Sequence, residues 1–91
     1  MMQPQSFTFA MDAVGSPDNI TLPADFQEGI CRIRLKPPVG HAWTFYGISN
    51  AAFPLTTDEA LDLGPLHATP GMVLGRCALD TGSGTGLGVA S

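Results

Sequence analysis

The chain has 91 residues, 44% of them hydrophobic and only 13% charged, with four basic and eight acidic side chains and a net charge of −4. That length fits one small domain spanning residues 1–91, and the acidic balance argues against DNA or RNA binding, which depends on cations that neutralise phosphates. No apolar run approaches the roughly 18 residues of a membrane span, and Met1-Met2-Gln3-Pro4-Gln5 has neither the basic nor the apolar region of a signal peptide, so neither nucleic acid nor membrane is expected as a partner.

The charged fraction is well below the usual share of about 25%. A surface with so few charges is expected to be partly covered, and self-association is the simplest way to cover it. Eleven glycines and eight prolines punctuate the chain. They leave no room for long helices and favour many short strands. Residues 1–6 are polar and unpatterned, which suits a flexible N-terminal arm.

Residues 6–11, S-F-T-F-A-M, place Phe7, Phe9 and Met11 on one face at period two. Gly15-Ser16-Pro17-Asp18-Asn19 is turn chemistry, and Ile20-Thr21-Leu22 is a short strand ended by Pro23. Residues 29–36 give the clearest strand. Cys31, Ile33 and Leu35 alternate with Arg32, Arg34 and Lys36, so one face is apolar and the other holds three of the four basic residues. Pro37 and Pro38 cannot continue a ladder and force a turn. Residues 41–49 contain Trp43, Phe45 and Tyr46 and read as a central strand, after which residues 50–54 lead into a loop.

Residues 56–63, T-T-D-E-A-L-D-L, permit two readings. Thr56 and Glu59 have the spacing of a helix capping box. The extended alternative, with Leu61 and Leu63 pointing inward, agrees better with the β character of the rest. Gly64-Pro65 would end the helical turns of the first reading. Residues 71–79 form a strand with Val73, Cys77 and Leu79 on one face and Gly75 between them. Residues 80–84 turn, and residues 85–90 make a last strand with Leu87 and Val89 inward. The expected fold is all-β: a small antiparallel β-sandwich or flattened barrel of six to eight short strands.

Several constellations bear on function. Asp80-Thr81-Gly82 spells the nucleophile-activating turn of an aspartic protease, whose dimeric form draws one such turn from each chain. Here the turn lies near the end of the sequence, with no room after it for a substrate-covering flap, so the dimeric protease is a remote alternative. The alternating Gly82, Gly84, Gly86 and Gly88 lack the lysine and the following helix of a phosphate-binding loop; they suit close approach by another backbone. His41 and His67 have no carboxylate or cysteine at ligand spacing, and Cys31 and Cys77 sit on apolar strand faces where a thiol stays inert. No catalytic residue, metal site or cofactor is assigned. The stripe Arg32, Arg34, Lys36 reads either as a solvated strand face or as a candidate docking surface for an acidic protein partner, since arginine forks pair with carboxylates. Trp43, Phe45 and Tyr46 are expected chiefly as core residues, with Trp43 or Tyr46 a candidate interface anchor, because adjacent strand residues cannot all face inward. Trp43 or Tyr46 could equally serve a carbohydrate- or ligand-binding β-module as a stacking platform.

The stretches HAWTFYGISNAAFPLTTDEALDLGPL and TPGMVLGRCALDTGSGTGLGVAS together resemble small virion proteins of tailed bacteriophages. An aromatic strand is followed by a small-residue loop, a Thr/Asp-rich segment, a Leu-Gly-Pro step and a closing x-Gly-x-Gly-x-Leu-x-Val hairpin, here residues 83–89. The resemblance covers residues 40–91. It implies a non-enzymatic β-sandwich of a phage virion, assembled in the host cytoplasm. Capsid decoration, or cement, is the role implied, with the major capsid protein or another virion protein as partner and a homo-oligomer, by preference a trimer, as the working form. Such a protein stabilises the shell by burying surface at about 25 cal/mol per Å² of apolar area before association costs.

Overall fold

The computed structural model describes residues 4–12, 17–47, 49 and 51–91. Its eight strands are β1 (Gln5–Asp12), β2 (Asp18–Thr21), β3 (Gly29–Lys36), β4 (Trp43–Tyr46), β5 (Ala52–Leu55), β6 (Leu61–Ala68), β7 (Val73–Leu79) and β8 (Ser83–Ala90). They form two four-stranded antiparallel sheets, ordered β1-β8-β3-β6 and β2-β7-β4-β5. The fold is a small β-sandwich, as the alternation of apolar residues predicts.

The inner face of the first sheet is built by Phe7, Phe9 and Met11 of β1 and by Cys31, Ile33 and Leu35 of β3, all buried. The second sheet contributes Ile20, Trp43, Phe45, Leu55, Cys77 and Leu79. Phe26, in the connection between β2 and β3, closes one end of the core with an edge-on contact to Phe7, ring centroids 6.3 Å apart. Each buried aromatic of this kind is worth about 3–5 kcal/mol against truncation to alanine.

The last strand departs from the sequence expectation. Leu87 and Val89 point outward, 44% and 37% exposed, while Gly86, Gly88 and Ala90 face the core. The reason is the pairing of β8 with β1, which sets Phe7 opposite Gly88 and Phe9 opposite Gly86. The two phenyl rings lie over the glycines, where any Cβ would overlap them. Aromatic side chains thus fill the room left by β8, and hydrophobicity alone misjudged which face of β8 is inner.

Three further differences have local causes. Val73 is exposed and Leu74 buried because β7 bulges opposite the step from Ile20 to Thr21. Gly75 occupies the bulge at φ 156°, and a Cβ there would strike the Phe45 ring and the Tyr46 carbonyl. Residues 52–55 form an edge strand, although Pro54 suggested a loop; an edge tolerates the missing donor. Gly64-Pro65 does not end β6 but sits inside it as a bulge opposite Arg32, again on an edge strand. The two readings of residues 56–63 are both realised in part. Glu59 Oε1 accepts from the Thr56 amide at 2.8 Å and forms a single capped turn, and the chain is extended from Leu61 onward.

Of the N-terminal arm, residues 1–3 lie outside the described residues. Gln5 and Ser6 belong to β1, paired with Ala90 and Val89, and the Gln5 side chain is tied to the backbone of Gln27. The strand therefore begins within the segment expected to be an arm. Residues 15 and 16 of the expected turn at 15–19 lie outside the described residues, and its end, Asp18 and Asn19, already belongs to β2. The expected strand at residues 41–49 is shorter, Trp43–Tyr46, and Ile48 lies outside the described residues.

Substituting Gly88 by valine is expected to lower stability by about 3 kcal/mol in urea denaturation through overpacking against Phe7. Combining it with Phe7→Ala should cost less than the two changes separately, because both act on one contact. A neutral Gly88→Val variant would contradict the packing.

Candidate functional site

The parity of β8 decides what the outer face of the first sheet presents. β3 and β8 pair so that Arg34 stands opposite Val89 and Lys36 opposite Leu87. Arg32, Arg34 and Lys36 all project from the face opposite the core, beside the two exposed aliphatic side chains. Together with Asp62 of β6 they line a shallow groove of about 580 Å³. At Lys36 and Leu87 it continues into a second depression of about 410 Å³ lined by Pro37, Pro38, Val39 and Asp58. Val39 is 92% exposed at its rim.

The charges along this groove are not equivalent. Arg34 Nη1 donates to Asp62 Oδ1 at 3.3 Å. The two residues are register partners on β3 and β6, which is why residues so distant in sequence meet. Asp58 accepts from the Gly40 amide at 2.6 Å and holds the Pro-Pro turn in place. Among the described residues, Arg32 and Lys36 have no carboxylate within ion-pair distance. They are four residues apart on one strand face, which separates their Cα atoms by about 13 Å.

The two aromatic anchor candidates separate. Trp43 is 2% exposed and its indole N–H donates to the Glu59 carbonyl at 2.8 Å, so it belongs to the core and is unavailable as an interface anchor or stacking platform. Tyr46 lies half-buried on the outer face of the second sheet, where the Arg76 guanidinium sits over its ring at 5.8 Å. It is far from the Arg32 stripe, since the two lie on different sheets.

A second apolar surface was not legible in the sequence. Between the edge strands β5 and β6 the sandwich is open, and Phe45, Ala52, Phe53, Leu61 and Leu63 line a groove of about 280 Å³. Phe53 is 55% exposed there. Register with Phe45 across the β4–β5 ladder, which local spacing does not show, places Phe53 at this edge.

The histidines find carboxylates that linear spacing could not reveal. His41 Nδ1 donates to Asp80 Oδ1 at 2.9 Å, and His67 Nε2 donates to Glu28 Oε2 at 3.1 Å. The His41 hydrogen bond, helped by the Thr81 and Ala42 backbone, holds the Asp80 carboxyl below its ordinary value of 3.8. The Asp-Thr-Gly carboxylate is thereby committed to bracing the β7–β8 turn. Asp12, at the end of β1, is shifted upward instead, chiefly by the charge of Asp18 and by a hydrogen bond with it. Cys31 and Cys77 are free and buried. Burial, with a smaller contribution from Asp18, pushes the Cys77 thiol up to about 12, and burial raises Cys31 as well. Among the described residues, no three His, Cys, Asp or Glu side chains gather as metal ligands.

Fold and surface together define a small antiparallel β-sandwich with a basic, aliphatic outer face and an open apolar edge. Comparison with protein-family models, with curated proteins and with solved structures finds no match.

Two outcomes follow from the titrating groups. Asp80 has a depressed folded value, so its contribution to stability is present above pH 3.8 and lost as pH falls below it toward the folded value. Asp80→Asn should therefore melt at a lower temperature than the parent at pH 6 and lose less on acidification below pH 4; identical melting profiles would exclude the contact. Neither cysteine should react with a disulfide reagent at pH 8 in the native protein, and both should react once it is unfolded.

Proposed function

We propose that the protein is a non-enzymatic structural component of a bacteriophage virion, a capsid decoration or cement protein that acts through protein–protein contacts. The observation that carries this reading is the outer face of the first sheet. Leu87 and Val89 stand uncovered between cationic side chains on a chain with few charges. Scattered apolar residues are ordinary on protein surfaces, but aliphatic side chains ranged along a groove with arginine beside them have the composition of an interface. The resemblance of residues 40–91 to small virion proteins supplies the biological setting.

A decoration protein needs surface to give to a shell and surface to give to its own copies. The outer face supplies the first, and the Phe53 groove at the open edge supports self-association, by preference into a trimer. Prolines in both neighbouring edge strands, Pro54 and Pro65, disfavour simple strand-to-strand extension there and favour side-chain contact. Several polar groups that could do chemistry are used to hold loops: Asp80 and Glu28 on histidines, Asp58 and Glu59 on backbone amides. The ligand-binding alternative loses its indole platform, since Trp43 is inside the core.

Electron cryo-microscopy of particles from the phage that carries the gene, with the gene intact and deleted, tests the reading. The expected result is extra density of a small β-sandwich on the intact shell, and shells that open at lower temperature without it. Particles identical in density and in thermal opening would overturn it.

A further inference from the structure

We infer that the groove along β3 and β8 receives an extended, acidic and aliphatic segment of the shell protein, read by Arg32 and Lys36 as two separate carboxylate sites with an apolar rail between them. This rests on the virion reading and specifies the partner's chemistry.

The argument begins with charge. The groove gathers three of the four basic residues of a chain whose net charge is −4. Such segregation makes the face complementary to carboxylates and repulsive to cations. One cation is already engaged: Arg34 pairs with Asp62 across the β3–β6 ladder. Arg32 and Lys36 remain, on the same strand face and about 13 Å apart. The carboxylates that meet them must have that spacing, which an extended chain provides between residues four apart. Leu87 and Val89 lie alongside this interval, in register with Lys36 and Arg34. The residues between the two carboxylates should therefore present aliphatic side chains to them. A helix would advance only about 6 Å over four residues and would miss one of the two cations.

A second copy of this chain is the competing occupant. Of its eight side-chain carboxylates, five are engaged, Asp80 with His41, Glu28 with His67, Asp58 with Gly40, Glu59 with Thr56 and Asp62 with Arg34, and Asp12 and Asp18 lie against each other, which leaves the single Asp25 for a face with two cations. A partner that brings free carboxylates fits the face better.

The test is co-sedimentation of the purified full chain with particles that lack it, at low and at 0.5 M salt (about 4 Å of screening length in the latter). Wild-type protein should bind at low salt and be released at high salt. Arg32→Glu combined with Lys36→Glu should weaken binding about tenfold or more, with oligomeric mass and melting temperature unchanged. Asp62→Asn, which frees Arg34, should tighten binding about threefold. Equal binding by wild type and the double variant would overturn the inference and leave the virion reading standing. A change of oligomeric mass in the double variant would assign the face to a second copy and overturn it too. Failure of the wild-type protein to bind at all would overturn both.

Discussion

The structure depends on one close approach, that of the Phe7 and Phe9 rings to the backbone of Gly88 and Gly86. Strand β8 lies between β1 and β3 and carries little side-chain volume on its inner face. Its partner β1 supplies that volume from the directly opposite positions. An aromatic ring laid over a cross-strand glycine restores packing density and covers exposed backbone. The same contact fixes parity. With the glycines inside, Leu87 and Val89 must lie outside, since successive side chains alternate between faces. The outer groove beside Arg34 and Lys36 is thus a consequence of how the core is filled.

Electrostatics plays a different part. With so few charged residues, most are used singly to brace a turn or a ladder edge. His41 and Asp80 tie the start of β4 to the β7–β8 turn. His67 and Glu28 tie β6 to the approach of β3. Glu59 closes the turn after β5, and its carbonyl takes the Trp43 indole. Exposed pairs of this kind contribute little each, so the sandwich is held chiefly by burial. Their value is positional: His41–Asp80, Asp58 and Glu59 keep the loops ordered around the Pro-Pro turn that borders the groove, and His67–Glu28 braces the opposite end of β3.

Much of this was readable in advance, and the exceptions have a common cause. Period-two alternation identified β1 and β3 with their correct inner faces, because each alternates large apolar with polar residues. It failed on β8, where the inner residues are glycines and the outer ones aliphatic, so that local hydrophobicity points the wrong way. It failed on Val73 because a bulge shifts the phase midway along β7. Pro54 reads as the entry to a loop and Pro65 as the stop of a helical turn, although edge strands accommodate both. The basic stripe was visible in residues 29–36, whereas its aliphatic rail, and the sparing of Arg32 and Lys36 from ion pairs among the described residues, required the pairing of strands far apart in sequence. Trp43 and Tyr46 could not be assigned to faces until the short span of β4 was known.

Proton NMR distance measurements on the native protein test the central contact most directly. The account predicts nuclear Overhauser effects from the Phe7 ring to the Gly88 α-protons and from the Phe9 ring to those of Gly86, with both glycines shifted upfield by ring currents. Effects linking the Leu87 and Val89 methyl groups to the Phe7 and Phe9 rings, with the glycine signals at ordinary positions, would contradict it.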